Sequence, residues 1–278
     1  MQHKQTMLKI GLYSSYVFVT LLFLFPLLWV LSLSFKTSQE LYNVPPNLFP
    51  ESLQFDNYKH VIENNNILSF LLNSLQIVSL TVILTLIIVL PAAFALSRYK
   101  FKLKGTLLLG IILTQMISAV VISIPLYRLF AEWGLLNNFF MMVIVYVAVV
   151  LPFSTWFLKG YFDTIPIELD EAATVDGCNK FQILTRILLP SSMPGIVSVT
   201  LLIAVQSWSQ FVIPFILLDI QSSYPVSVGI VNLQSTQQAI TTHYLAAGSV
   251  ISILPVIVLF VLLQRFIVGA LTTGAVKG

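Results

Sequence analysis

The chain has 278 residues, 57% of them apolar and only 9% charged, with a formal net charge of +3. Soluble domains do not combine these values, so the composition excludes a water-soluble protein and predicts helices embedded in a lipid bilayer. The single cysteine, Cys178, excludes an internal disulfide. His3, His60 and His243 are too far apart in the sequence to predict a metal site.

Six apolar runs are each long enough to cross about 30 Å of hydrocarbon as a helix. They lie at residues 10–33, 68–96, 106–127, 137–158, 195–218 and 245–264. We therefore expect an all-α membrane protein with six transmembrane helices, in which residues 1–278 form a single transmembrane domain. The basic start before the first run is typical of a signal peptide, but no small-residue cleavage site follows, so we keep this run as a span.

Lysine and arginine are distributed unevenly between the loops. Eleven of the fourteen lie at the N-terminus, in the second and fourth loops or at the C-terminus, whereas Lys36, Lys59 and Arg128 lie in the other loops. Because positive charge accumulates on the cytoplasmic side of a membrane protein, both termini and the fourth loop, residues 159–194, are predicted to be cytoplasmic. The basic residues form no aromatic-basic face, so no nucleic-acid partner is predicted.

Amide and aromatic side chains interrupt three of the spans, where they could line a path for a polar solute. The two amides of the second span are three residues apart and those of the fifth are four apart, so each pair is expected to share one helix face. Hydrogen bonding between helices explains such residues equally well. The candidates for the substrate path are Asn73, Gln76, Gln115, Gln206, Trp208 and Gln210.

The six spans contain no Asp, Glu, Lys or Arg. This argues against proton coupling, because that mechanism places ionisable groups at membrane depth. Sodium coupling through carbonyls and hydroxyls stays open. The sequence has no nucleotide-binding loop and no HExxH or GxSxG motif, so we predict no bound cofactor, no metal ligands and no catalytic residues.

Helix signals divide the fourth loop. Thr164-Ile165-Pro166 is typical of a helix start, and Gly177 of a helix end, because glycine adopts the left-handed conformation found there. Asn179 and Gln182 form a capping-box pattern that starts a second helix, which Pro190 limits. The loop is therefore predicted to fold as a helix, a sharp turn and another helix.

The same loop contains, in order, Glu171-Ala172-Ala173, Gly177 and Ile187-x-Leu189-Pro190. This order resembles the EAA loop in permease subunits of binding-protein-dependent ABC importers. The ending Gly269 to Gly278 is similar to that of the carbohydrate-uptake branch, in particular the second permease of maltose-type systems. The chain departs from the pattern at Cys178, where alanine or serine is usual.

The resemblance implies a type I ABC importer permease fold in the bacterial cytoplasmic (inner) membrane, with an EAA loop that docks a partner ATPase. It also implies a second permease subunit, an ABC ATPase dimer that binds ATP and magnesium, and an extracytoplasmic solute-binding protein. A sugar or oligosaccharide would then move into the cytoplasm by alternating access. By the same resemblance the ATPase-docking residues are Glu171, Ala172, Ala173, Asp176, Gly177, Ile187, Leu189 and Pro190.

Several alternatives stay open. The chain could import another polar solute, act as an ion-coupled secondary transporter, or serve as a membrane scaffold without transport. The EAA loop could be a surface loop whose amphipathic helices lie at the membrane interface. The outside loop from Asp219 to Thr242 resembles a segment of maltose-type permeases that reaches the binding protein. By this resemblance the contacts with the binding protein would be Gln234, Gln237 and Gln238. Alternatively, the loop is a solvated connector.

Overall fold

The computed structural model describes residues 2–233 and 242–275, and all regular structure in these residues is helical. Short 3-10 turns lie at Glu40–Tyr42 and Gln221–Ser223. The α-helices of the described residues are α1 (Gln2–Ser34), α2 (Asp56–Asn64), α3 (Ile67–Arg98), α4 (Lys104–Thr114), α5 (Ala119–Glu132), α6 (Phe139–Phe162), α7 (Glu168–Val175), α8 (Lys180–Ser191), α9 (Met193–Trp208), α10 (Val212–Leu217), α11 (Val226–Asn232) and α12 (Thr242–Ala275).

Four helices within the described ranges are long and apolar enough to cross a membrane. They are Gly11–Ser34 of α1, Ile67–Arg98, Phe139–Phe162 and Thr242–Arg265 of α12. Helices α4 and α5 meet the same criterion together but bend by 87° where they join, and α8 and α9 do so with a bend of 82°. By length and composition, the described residues therefore contain four spans, or up to six if each bent pair is one span.

From its length, we expected the apolar run at 106–127 to form one continuous helix, and this prediction is wrong. Helix α4 ends at Thr114 and α5 begins at Ala119. Between them Ser118 has an extended backbone, and its hydroxyl accepts a hydrogen bond from the Val120 amide at 3.3 Å. Ser118 is therefore the N-cap of a new helix, and this cap allows the chain to change direction inside an apolar run.

The apolar run at 195–218 is also divided, because α9 ends at Trp208 and α10 begins at Val212. The Ser209 amide donates to the Val205 carbonyl at 3.1 Å and closes the last turn of α9. Gln210 lies in the connection that follows. It does not share a helix face with Gln206, so the expected pairing of these two amides is wrong.

The described residues divide into two compact units. One draws on Met1–Leu68 and Gly229–Leu254, and the other on Ser69–Val228 and Pro255–Gly278. In the first unit, α2 is tied to the end of α1 by one buried amide. The Asn57 side chain donates to the carbonyls of Ser34 and Lys36, at 2.9 Å in each case.

The second unit contains two apolar cores. One joins α3, α5, α6 and α10. The other is shared by α3, α6, α7, α8 and α9, so the two helices of the fourth loop pack into the same core as three longer helices. The buried members of this shared core are Val89, Ala93, Phe94, Val150, Leu158, Phe162, Ile165, Ala173, Ile183, Leu184, Leu188, Val199 and Ile203.

Candidate functional site

The fourth loop folds as two helices joined by a sharp turn, and we call residues 168–191 the helical knob. Gly177 has a φ of 83°, the left-handed conformation that favours glycine. Asn179 and Gln182 form a capping box, in which each side chain accepts a hydrogen bond from the other residue's amide, at 2.8 and 2.9 Å. The predicted turn and the predicted start of the second helix are both confirmed.

The first helix of the knob begins later than its sequence signals indicated. Helix α7 starts at Glu168, and its N-cap position, Ile167, makes no side-chain cap. The Thr164 hydroxyl instead donates to the Tyr161 carbonyl at 2.7 Å. The prediction of a cap at Thr164 is therefore wrong, because this hydroxyl bonds a carbonyl in the last turn of α6.

The two alanines of the Glu171-Ala172-Ala173 stretch face opposite ways. Ala173 is buried in the shared core, whereas Glu171 and Ala172 are exposed. Asp176 and Gly177 are exposed as well. A surface formed by α7 and its turn therefore presents a carboxylate and a small side chain, with Ala173 behind them.

Two large apolar side chains flank this surface. Val175 is 88% exposed and Phe181 is 73% exposed, one on each side of the Gly177 turn. The sequence signal for them is the presence of isolated apolar residues in a stretch of low hydropathy.

The second helix of the knob changes its hydrogen-bonding pattern before it ends. Residues Ile183–Leu188 form a π-helical turn, and the Leu189 amide donates to the Leu184 carbonyl. Such turns are frequent at functional sites. Ile187 and Leu189 are half-buried against the shared core, and Pro190 is exposed.

The base of the knob is held by Arg98, the last residue of α3. Its Nε lies 2.6 Å from Oδ2 of Asp170 on α7, and both side chains are one-tenth exposed. The two terminal nitrogens donate to the carbonyls of Phe162 and Ile165, at 3.0 and 3.1 Å. One guanidinium therefore joins the end of α3, the end of α6 and the first helix of the knob.

The candidate substrate-path residues are not gathered into one site among the described residues. Gln76, Gln115 and Trp208 line three different cavities, of about 390, 370 and 300 Å³. Gln115 lies at the break after α4, where its side chain donates to the Val149 carbonyl at 3.2 Å. Gln206 is exposed on α9.

Asn73 supports a loop with its side-chain amide. Its Nδ2 donates to the carbonyls of Ser222 and Tyr224, at 2.7 and 3.0 Å. The neighbouring Ser74 hydroxyl accepts from the Val226 amide at 2.8 Å. The α3 end opposite to Arg98 therefore holds the segment between α10 and α11.

A second anchor of this segment is Asn137, which has a left-handed backbone with a φ of 60°. Its side-chain oxygen accepts from the amides of Asp219 and Ile220, at 2.7 and 3.2 Å. We call residues 218–226 the anchored loop. The proposed binding-protein contacts, Gln234, Gln237 and Gln238, lie outside the described residues.

Long apolar helices that share a core with an exposed helical knob define the class of this chain, an integral membrane protein. The chain belongs to the family of binding-protein-dependent transport system inner membrane components, whose model matches residues 87–272. This membership confirms the predicted resemblance to permease subunits of binding-protein-dependent ABC importers.

Similar proteins include permease proteins of ABC transporters and of sugar transport systems. The chain is 32% identical to the inner membrane ABC transporter permease protein YcjP of Escherichia coli, over 99% of both chains. It is 32% identical to the trehalose/maltose transport system permease protein MalG of Thermococcus litoralis, over 94% of both.

A solved structure is similar in fold. It is the crystal structure of a bacterial ABC transporter involved in the import of the acidic polysaccharide alginate. One of its chains matches with a TM-score of 0.79 and 22% identity, over 94% of this chain and 97% of that one. This likeness confirms the predicted type I ABC importer permease fold.

Proposed function

We propose that this permease subunit passes a sugar or an oligosaccharide from an extracytoplasmic binding protein into the cytoplasm by alternating access. The substrates of similar proteins support the proposal, because MalG is named for trehalose and maltose and the solved transporter for alginate. The lack of ionisable side chains within the predicted spans supports an energy source outside this chain.

Six spans with both termini in the cytoplasm are part of the proposal. Helices α4 and α5 would supply the third crossing despite their bend, and α9 followed by α10 the fifth. The uneven distribution of lysine and arginine supports this orientation. The helical knob would then face the cytoplasm, and the anchored loop the opposite side.

The helical knob would dock a partner ATPase, and one observation carries this proposal. The inner side of the knob belongs to a core shared with three long helices, while its outer side exposes Glu171, Val175 and Phe181. Exposed apolar anchors beside a charge favour a cleft that combines an apolar wall with a basic group. The proposed docking surface comprises Glu171, Ala172, Val175, Asp176, Gly177, Phe181 and Pro190, with Ala173, Ile187 and Leu189 supporting it from behind.

This chain would perform no bond chemistry. ATP and magnesium would bind to a dimer of partner ATPases, and a second permease would complete the membrane pore. ATP-driven closure of the ATPase dimer would move the knob, and the shared core would carry that movement to α3, α6 and α9, because close-packed interiors transmit displacement. The helices would then rock between inward-open and outward-open states.

Among the candidate path residues, Gln76, Gln115, Gln206, Trp208 and Gln210 would offer amides and a ring to a sugar. Asn73 would contribute its side-chain oxygen only, because its amide protons are taken by the anchored loop. Replacing Gln206 with alanine should weaken transport of a bound sugar. An unchanged transport rate and affinity would assign this amide to contacts between helices.

The function is tested by purifying the tagged chain from native membranes and reconstituting the purified material in liposomes. We expect an ATPase and a second permease to co-purify with it. The binding protein and ATP are each added either inside or outside the liposomes. Uptake of radiolabelled oligosaccharides should require ATP on the side of the membrane that the knob faces. Uptake by the chain alone, driven by a sodium or proton gradient, would contradict the proposal.

A further inference from the structure

The first helix of the knob buries few of its side chains. Within α7, all of which is described, the buried residues are Asp170 and Ala173. Ala173 contributes one methyl group to the shared core, whereas Asp170 forms an ion pair with Arg98 of α3. A charged hydrogen bond is directional, and an apolar contact is not. The fixed link between α7 and α3 is therefore the ion pair.

Stability alone is a poor explanation for this buried pair. Apolar residues of similar volume often stabilise a protein as well as a buried ion pair does. The pair is also incompletely bonded, because Oδ1 of Asp170 is buried and has no hydrogen-bond partner among the described residues. A carboxylate kept only for stability would be expected to have both oxygens bonded.

The position of Asp170 suggests another role. It directly precedes Glu171, and the two carboxylates face opposite ways, Asp170 toward α3 and Glu171 toward solvent. A force applied at the docking surface therefore reaches the ion pair within one residue. Because Arg98 also binds the carbonyls of Phe162 and Ile165, its guanidinium cannot rotate away without breaking three contacts.

Helix α3 extends the link to the far side of the unit. Arg98 ends the helix, and Ser74 lies 24 residues earlier, about 36 Å away at 1.5 Å per residue. At that far end Asn73 and Ser74 hold the anchored loop through three hydrogen bonds. One helix therefore connects the knob to the loop.

We propose that Arg98 and Asp170 are positioning residues for coupling, which transmit displacement of the knob into α3 and through it to the anchored loop. The proposal rests on the proposed docking of an ATPase at the knob. It assigns to these two residues a role distinct from docking itself, since neither faces the docking surface.

The test uses the complete complex, with its ATPase and second permease, in liposomes. A single thiol is placed in the anchored loop by Gln221→Cys in a Cys178→Ala background, and its rate of maleimide modification is measured without nucleotide and after trapping with ATP and vanadate. Gln221 is exposed, so the thiol is reachable. In the otherwise unchanged complex, ATP should alter this rate.

Asp170→Asn keeps the shape of the side chain and removes its charge. We expect the ATPase to remain bound and to hydrolyse ATP, while the ATP-induced change in modification rate falls at least about fivefold. Asp170→Glu, which keeps the charge, should restore most of the change. The matched control is Lys159→Gln, which removes an ion pair of 2.5 Å with Asp163 at the end of α6 and should leave the response intact.

The outcomes separate the two levels of the proposal. If no ATPase co-purifies with the unchanged chain, the proposed function fails. If the ATPase binds but ATP has no effect on the unchanged complex, or Asp170→Asn responds like the control, transmission through Arg98 is overturned. Should Asp170→Asn prevent assembly, Arg98→Lys keeps the charge but cannot reach all three acceptors, and the same loss of response is expected of it.

Discussion

The ring of Tyr161 on α6 lies directly against the α-carbon of Gly195 on α9. A methyl group built on Gly195 would lie 2.4 Å from Cγ of the ring, closer than side chains approach one another in a close-packed interior. This contact lies next to the bend between α8 and α9. It sets how closely the helix that follows the knob can approach α6.

Gly195→Ala should therefore destabilise the protein, by about 1–3 kcal/mol, because the added methyl overpacks the contact with Tyr161. The free energy of unfolding in detergent measures this effect. Gly160→Ala is the matched control, because a methyl group built there meets nothing within 4 Å, and it should be neutral or slightly stabilising. Equal losses from the two substitutions would contradict the described contact.

Gly177→Ala should distort the turn of the knob. The backbone there has a φ of 83°, which disfavours any residue with a β-carbon by about 1–2 kcal/mol. Gly177→Asn should have a smaller effect, because asparagine tolerates this conformation. Hydrogen exchange at the amides of α7 reports the change. We expect protection of these amides to be highest with glycine at position 177, lower with asparagine and lowest with alanine.

Phe181→Ala should weaken ATPase binding at least about tenfold while leaving the unfolding free energy nearly unchanged. The ring is 73% exposed, so it contributes little to the fold and is available for contact with a partner. Phe49→Ala removes a ring that is 80% exposed elsewhere and serves as the control. An equal ATPase affinity in both variants would remove Phe181 from the docking surface.

Asn137→Ala should loosen the anchored loop, because two amides lose their acceptor and the left-handed backbone loses a residue that tolerates it. We expect exchange of the Asp219 and Ile220 amides to quicken at least about fivefold. Asn137→Asp retains the acceptor oxygen and should preserve protection. Faster exchange in both variants would show that the side-chain oxygen does not hold the loop.

Local chemistry explains which parts of the knob could be predicted from sequence. Gly177 and the pair Asn179 and Gln182 act on their own backbone, within three residues, so their roles follow from their order. The burial of Asp170 and Ala173 depends on which helices pack against α7. That information is nonlocal, and the sequence pattern did not contain it.

The membrane helices show the same limit. Apolar composition located them, but the break between α4 and α5 depends on Ser118, a single capping residue inside an apolar run. The role of Asn73 depends on a residue far away in the sequence, since its hydrogen-bond partner Ser222 is 149 residues away. An amide in a span has the same sequence signature whether it meets a solute or a distant loop.

The most direct measurement of the central claim is the amount of ATPase retained by a Glu171→Lys variant. This substitution reverses the charge of the exposed carboxylate of the docking surface and should weaken ATPase binding at least about tenfold, while membrane insertion and the unfolding free energy stay unchanged. Glu132→Lys, at the exposed end of α5, is the control and should retain the ATPase. Full ATPase retention and unchanged uptake in Glu171→Lys would contradict the assignment of the knob as the docking site.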